Sequence, residues 1–366
     1  MNSTFHIATF EGDGIGHEIM PACLHVLQVL QRRIGGFKLE HENLDGGAEL
    51  YRDKGTDITD DAFEAARRAD AILFGAMGLP DVRFPDGTEI APHLRMRREF
   101  GLFAGLRPAR SFPNAPGPLK DPRAEKIDLL VIRESTEGLF ASRGKGVMIE
   151  DREARDTMVI TRATCEKLFD KAFELARSRK QAGRPGIVTC VDKSNVFVSM
   201  AFFRKVFDER ALRFPDITAR HHYIDATALD LVRRPWDFDV LVMENMFGDI
   251  ISDLVGGLIG GMGMAPCAEI GEAHGLFQPA HGTAPDIAGK GAANPTAMIL
   301  SAAMMLDWLG TQHKVPACQT AAAMLDAAVV KVFSEGRHLP REFGGMAKTN
   351  DIARAVGDAI AAVDVR

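Results

Sequence analysis

Residues 5–30, FHIATFEGDGIGHEIMPACLHVLQVL, change their hydrophobic period partway along. Phe5–Phe10 reads as a β-strand, and Gly12, Gly14 and Gly16 as a turn. Met20, Leu24, Leu27 and Leu30 then recur at helical spacing. The same unit returns downstream. A helical segment, Ala62–Ala69, precedes an apolar strand, Ala71–Phe74, that ends at Gly75. Apolar runs at Leu129–Ile132, Ile187–Val191 and Val240–Met243 are each followed by a loop and then by helix-compatible sequence. Strands alternating with helices imply an α/β architecture with buried, largely parallel strands. The basic stretch Arg177–Gly186 reads as a surface connection between a helix and the next strand. No long Gly/Ser linker, low-complexity tract or repeat divides the chain, so its lobes are expected to share one sheet. From Pro295 onward the alanine- and methionine-rich sequence reads as packed helices.

With 366 residues the chain exceeds a single core, and two lobes are the natural expectation. Its 46% hydrophobic and 26% charged residues are ordinary for a globular protein. A net charge of −6 argues against nucleic acid or an anionic membrane as the main partner. No stretch reads as a bilayer span, and the first residues lack the pattern of a signal peptide. Cys23, Cys165, Cys190, Cys267 and Cys318 are scattered without a C-x-x-C pair, which suits reduced thiols in a cytoplasmic protein.

Two nucleotide signatures are absent: there is no G-x-G-x-x-G, and Gly282–Lys290 does not fit a P-loop. The glycines at 12, 14 and 16 serve a phosphate near a helix N-terminus or merely a tight turn; the residues alone leave both open. Phe247-Gly248-Asp249-Ile250-Ile251-Ser252-Asp253 is more informative. Asp249 and Asp253, four apart, share one helix face about 5–6 Å apart at Cβ. Their repulsion is relieved by a hard cation such as Mg²⁺ or Mn²⁺, or by water if that turn is simply solvated. Apolar neighbours and the glycine-rich stretch 256–263 make solvation the weaker account.

Arg97, Arg107 and Arg133 form a second group. Arg133 ends an apolar run, where α/β folds place ligands, and a guanidinium fork matches a carboxylate. Three of them suit a di- or tricarboxylate, although each singly is more often a surface ion-pair partner. Lys193, just past strand 187–191, and Asp225 are candidates for proton transfer, with Asn195 as a polar contact. His281–Gly291 is a polar, glycine-punctuated loop leading to Asn294-Pro295; Asp286 there is able to serve ribose hydroxyls.

Read in order, these segments resemble the β-decarboxylating dehydrogenases, the family of isopropylmalate, isocitrate, homoisocitrate, tartrate and D-malate dehydrogenases. The likeness runs through GDGIGHE (12–18), RMRREFGLFAGLRP (95–108), RESTEGLF (133–140), VDKSN (191–195), YIDA (223–226), NMFGDIISD (245–253) and HGTAPDIAGKGAANP (281–295). It implies the family's own α/β fold, distinct from the Rossmann fold. Residues 1–102 and 260–366 would form a larger, NAD-binding lobe, and residues 103–259 a smaller lobe for dimerisation and the metal and substrate site. It further implies that Arg97, Arg107 and Arg133 bind substrate carboxylates, with His93 and Leu94 lining the same pocket. Asp249 and Asp253, with Asp225 from the second subunit of a homodimer, would hold Mg²⁺ or Mn²⁺. Lys193 would also cross the interface and take the hydroxyl proton, through Asp225 or water. His281, Gly282, Ala284, Asp286, Ile287, Asn294 and Asn195 would contact NAD.

The sequence departs from that family in two places. Where relatives place a tyrosine credited with assisting decarboxylation and reprotonation, this chain has Phe140, which donates no proton. The segment Ile90-Ala91-Pro92-His93-Leu94-Arg95-Met96 matches neither an isocitrate pocket nor a purely aliphatic one, because His93 intrudes. GAMGLPDVRFPDG (75–87) is similar to tartrate and D-malate enzymes and LFAGLRPAR (102–110) to isopropylmalate enzymes. The expectation is an NAD- and metal-dependent dehydrogenase of a 3-substituted malate, of isopropylmalate type first and D-malate or tartrate next. A non-decarboxylating relative and a non-catalytic regulatory subunit are the alternatives.

Overall fold

Ten strands of the computed structural model, which describes residues 3–363, form a single twisted sheet. The N-terminal strands are β1 (Ser3–Gly12), β2 (Phe37–Asn43), β3 (Ala71–Ala76), β4 (Ala104–Arg110) and β5 (Asp128–Glu134). A separate two-stranded arm, β6 (Val147–Ile149) and β7 (Glu153–Arg155), follows. The remaining strands are β8 (Ile187–Asp192), β9 (Thr218–Tyr223), β10 (Val240–Met243), β11 (Pro266–Ile270) and β12 (Gly275–Pro279). The sheet order is β2-β1-β3-β12-β11-β4-β5-β10-β8-β9. Residues from 3–76 and 266–279 therefore build one half of the sheet and residues 104–243 the other.

The pairing is parallel at both ends and antiparallel in the middle, where β4 runs against both β5 and β11 and β11 against β12. The α/β expectation holds, with a mixed centre that the apolar runs did not reveal. Strand β10 occupies the residues read from the sequence, and β3, β5 and β8 extend theirs by one or two at an end.

Helices cover both faces: α1 (Gly16–Ile34), α2 (Ala48–Lys54), α3 (Asp60–Arg68), α4 (Pro92–Glu99), α5 (Arg162–Gln181) and α6 (Val198–Ala211). Then come α7 (Ile224–Arg233), α8 (Asn245–Leu258), α9 (Thr296–Gln312), α10 (Pro316–Glu335) and α11 (Thr349–Ala362). The basic stretch Arg177–Gly186 is a correction. Helix α5 runs on to Gln181, because Arg177 reaches Asp216 and Arg179 reaches Asp128 and Asp239 from its last turns. Only residues 182–186 connect, with Gly183 and Gly186 at positive φ.

A second correction concerns bilayer-length segments. Helix α10, 20 residues with a mean hydropathy of 1.2, is long and apolar enough by length and composition. It packs instead on α9 and α11, burying Leu325, Val329 and Phe333, as a core helix does. All five cysteines are free and buried.

Candidate active site

The antiparallel centre of the sheet creates the site. Gly105 on β4 lies opposite Arg133 on β5 and opposite Glu269 on β11, so the three stand in a row across the sheet. Directly opposed residues share a face, and Arg107, two residues along β4 from Gly105, shares it too. Gly105 is needed there: a Cβ would lie 2.7 Å from Ser135 Oγ and 2.9 Å from Glu269 Oε2. Arg97 arrives from α4, which opens on Pro92, a residue whose fixed φ suits a helical first turn.

Arg107 Nη2 donates to Glu269 Oε1 at 2.8 Å, and Arg97 Nη2 forms an ion pair with the same oxygen at 2.8 Å. All three side chains are buried, Glu269 completely. Burial alone would raise the Glu269 carboxyl, yet the guanidiniums of Arg97, Arg107 and Arg133 outweigh it and hold the group below its usual range. Glu269 is therefore ionised. Sequence reasoning missed it. The available signal was one carboxylate inside the otherwise apolar run Pro266–Ile270, which is abnormal unless a cation is buried beside it.

Arg133 donates through Nε (2.9 Å) and Nη2 (2.7 Å) to Asn245 Oδ1, and through Nη1 to Asp249. Burial, with the like charge of Arg97, pulls it down to about 10, so it stays charged near neutrality. Helix α8 can lie this close to β5 because residue 248 is glycine; a Cβ would come within 2.6 Å of the Arg133 side chain. Glu244 fixes the start of α8 by accepting from the amides of Met246 and Phe247. The guanidinium carbon of Arg133 sits 4.9 Å from the centre of the Phe140 ring.

Asp249 and Asp253 lie one turn apart on α8, as their spacing requires. Burial and then the neighbouring Asp249 push Asp253 above its usual range. Two hard oxygen donors in mutual repulsion are a chemically sound place for Mg²⁺ or Mn²⁺. Asp225 is elsewhere. It begins α7 and accepts a 2.6 Å hydrogen bond from Lys193 Nζ, which holds its carboxyl below the usual range. Among the described residues no three His, Cys, Asp or Glu side chains converge as a metal cage. One chain thus assembles Arg97, Arg107, Arg133, Asp249 and Asp253, and leaves Lys193, half-buried, and Asp225, exposed, as a separate pair.

His93 stands one turn before Arg97 on the same face of α4, with Leu94 half-buried beside it. Burial, reinforced by Arg97, Arg133, Arg143 and Arg107, drives its pKa well below the ordinary value. The imidazole is neutral, and its Nδ1 is buried without a partner.

The loop after β12 is tied to the first glycine turn. Ile15 donates its amide to the Thr283 carbonyl (3.0 Å), and the Thr283 hydroxyl donates to the Gly78 carbonyl (2.6 Å). A side chain at Gly14 would strike that same Thr283 carbonyl at 2.5 Å, so close approach explains this glycine. Ala284 adopts φ +38°, Gly282 and Asp286 are exposed, and Ile287 is half-buried. His281 Nε2 is buried without a partner, while Asn294 is buried and donates to Glu342 (2.5 Å). Asn195 is exposed two residues past Lys193, away from this loop in sequence and on the other half of the sheet.

The chain belongs to the isocitrate/isopropylmalate dehydrogenase family, whose model matches residues 6–356. Its relatives include the 3-isopropylmalate/3-methylmalate dehydrogenase of Methanocaldococcus jannaschii, 39% identical over 96% of this chain and 97% of that one. The 3-isopropylmalate dehydrogenase of Moorella thermoacetica is 40% identical over 92% of each chain. Among solved structures, the isocitrate dehydrogenase of Methylococcus capsulatus superimposes with a TM-score of 0.85 at 32% identity, over 97% of this chain and 99% of that one. A β-decarboxylating dehydrogenase of Thermococcus kodakarensis gives 0.79 at 34%, over 98% and 96%. The family and fold read from the sequence are thereby established.

Proposed function

We propose that this chain oxidises a 3-substituted malate with NAD and Mg²⁺ or Mn²⁺, and releases the β-carboxylate as CO₂. The observation that carries the reading is the buried floor of Arg97, Arg107 and Arg133 beside the paired carboxylates of α8. A dicarboxylate complements the arginines, which orient it and exclude water. Asp249 and Asp253, with Asp225 of a second copy, would hold the cation, which supplies the Lewis acidity that makes the 2-hydroxyl a better acid. Lys193, in its uncharged form, takes the hydroxyl proton through Asp225 or a water. Ser135 or a water returns a proton at C3, since Phe140 has none to give.

The loop from His281 to Asn294, with Gly282, Ala284, Asp286 and Ile287, would hold the adenosine half of NAD, which accepts the hydride, and Asn195 would touch it across the cleft. An exposed carboxylate at Asp286 favours the ribose of NAD over the 2′-phosphate of NADP. The partner is a second copy. Leu229 and Val232 of α7, Ile250 of α8, and Val196, Phe197 and Val198 beside Lys193 are exposed apolar residues that self-association would cover. Free, buried thiols suit a reducing compartment such as the cytoplasm.

The test is NADH and CO₂ release with Mn²⁺ over D-malate, tartrate and 3-isopropylmalate, with chelated and NADP controls. Turnover should vanish on chelation and return with Mg²⁺ or Mn²⁺, and kcat/KM should favour NAD. Full activity without metal would overturn the cation assignment. Equal use of NADP would overturn the role of Asp286, and silence on every malate would favour a non-catalytic subunit. NADH without CO₂ would mark the non-decarboxylating relative.

A further inference from the structure

Four polar atoms around the arginine floor are buried and lack any hydrogen-bond partner: Arg97 Nε, Arg107 Nε, Glu269 Oε2 and His93 Nδ1. Buried donors and acceptors are normally satisfied, so a group of orphans in one place describes the ligand that completes them. Two guanidinium donors ask for an acceptor, which any malate carboxylate supplies. Glu269 Oε2 asks for a donor. Its carboxylate is fully buried, its other oxygen is already shared by two arginines, and the Ser135 hydroxyl beside it is divided between this carboxylate and the Arg133 carbonyl at 3.3 Å. Gly105 keeps its own strand from crowding that oxygen, which a Cβ there would approach to 2.9 Å. His93, on the same helix face as Arg97, brings a neutral ring nitrogen able to give or take one bond.

We propose that Glu269 and His93 select the C3 substituent, preferring a malate whose substituent carries a hydroxyl donor over one with a plain alkyl group. The inference rests on the malate dehydrogenase reading above and sharpens it against the names of the relatives. An isopropyl group would seal Glu269 Oε2 and His93 Nδ1 in an apolar contact, leaving an ionised oxygen and a ring nitrogen unpaired. A hydroxyl satisfies one of them directly. Sites built to bond a substrate hydroxyl discriminate strongly against analogues that lack it, whereas purely apolar pockets discriminate weakly.

The experiment compares kcat/KM for tartrate, which is 3-hydroxymalate, and for 3-isopropylmalate. It uses the wild-type enzyme, Glu269→Gln and His93→Leu, with D-malate as the common reference. The wild type should favour the hydroxylated substrate by about tenfold to 10²-fold, and His93→Leu should shift the ratio toward 3-isopropylmalate by about tenfold. Glu269→Gln should shift it the same way, and His93→Leu keeps the test open if that buried variant does not fold. A wild type that prefers 3-isopropylmalate, or a ratio unmoved in folded variants, overturns the proposal and leaves the dehydrogenase reading intact. Silence on all three substrates overturns that reading instead.

Discussion

The two halves of the site are held by opposite means. Around Arg97, Arg107 and Glu269 the charges are buried and paired at 2.8 Å, with Arg107 and Glu269 fixed by the register of adjacent strands. Around Lys193 and Asp225 a single 2.6 Å ion pair stands in the open, the Asp225 side chain 68% exposed and apolar neighbours bare. Burial makes the first half rigid and dependent on charge balance. The second half owes almost nothing to its own fold, and a surface pair of this kind stabilises by roughly 0–1 kcal/mol. One half is preorganised by a single chain; the other, in the reading proposed above, is completed by a second copy.

The largest effect should fall on the exposed half, in rate alone. Lys193→Ala should lower kcat by about 10²–10⁴, the usual contribution of a positioned acid or base, while the melting temperature barely moves. Mixed with Arg133→Ala under conditions of subunit exchange, it should regain activity. Each mixed dimer would keep one intact composite site, which limits recovery to about a quarter of the wild type. A fully active isolated monomer would break the comparison outright.

Arg107→Ala should show the reverse balance. Removing one of the two cations paired directly with a buried carboxylate costs about 3 kcal/mol, because Glu269 keeps only Arg97 in contact, with Arg133 farther off, to offset its desolvation. Denaturant unfolding of Arg107→Ala and Lys193→Ala side by side gives the contrast directly. Similar losses in both would mean that burial does not divide the site in this way.

That division also explains what the sequence disclosed. Asp249 and Asp253 were legible because helical spacing alone puts them on one face, and Val240–Met243 because an apolar run in a buried strand has no competing reading. Arg97, Arg107 and Arg133 were legible as residue types, but not as a constellation, since the antiparallel register that joins them is set by strands distant in sequence. Glu269 was lost for the same reason: its partners sit 162 and more residues away. Arg177–Gly186 was misread because basic residues mark a helix's last turn as readily as a loop. Lys193 and Asp225 were singled out by their places beyond a strand and in YIDA, but their joint role came only through family resemblance, as nothing local distinguishes them from an ordinary surface ion pair.

The smallest effect is expected at Phe140. Its ring lies under the Arg133 guanidinium at 4.9 Å, and that guanidinium is locked by Asn245 and Asp249. Phe140→Tyr keeps the ring, retains the cation–π contact and adds one hydroxyl at a half-buried position, so stability should change by under about 0.5 kcal/mol. The chemistry should respond more than the fold. A phenol beside the arginine floor is a new proton donor, and general acid assistance reaches about 10²–10⁴ where nothing else supplies the proton. In the proposed mechanism Ser135 or a water already does, so the gain in CO₂ released per NADH, or in kcat, should stay below about tenfold. Following the two products separately on the best malate substrate decides it. A gain of 10² or more would mean that the native site lacks any donor. An unchanged ratio with a lower kcat would mean that the pocket is organised around phenylalanine, and that Phe140 serves Arg133 as packing and has no part in proton transfer.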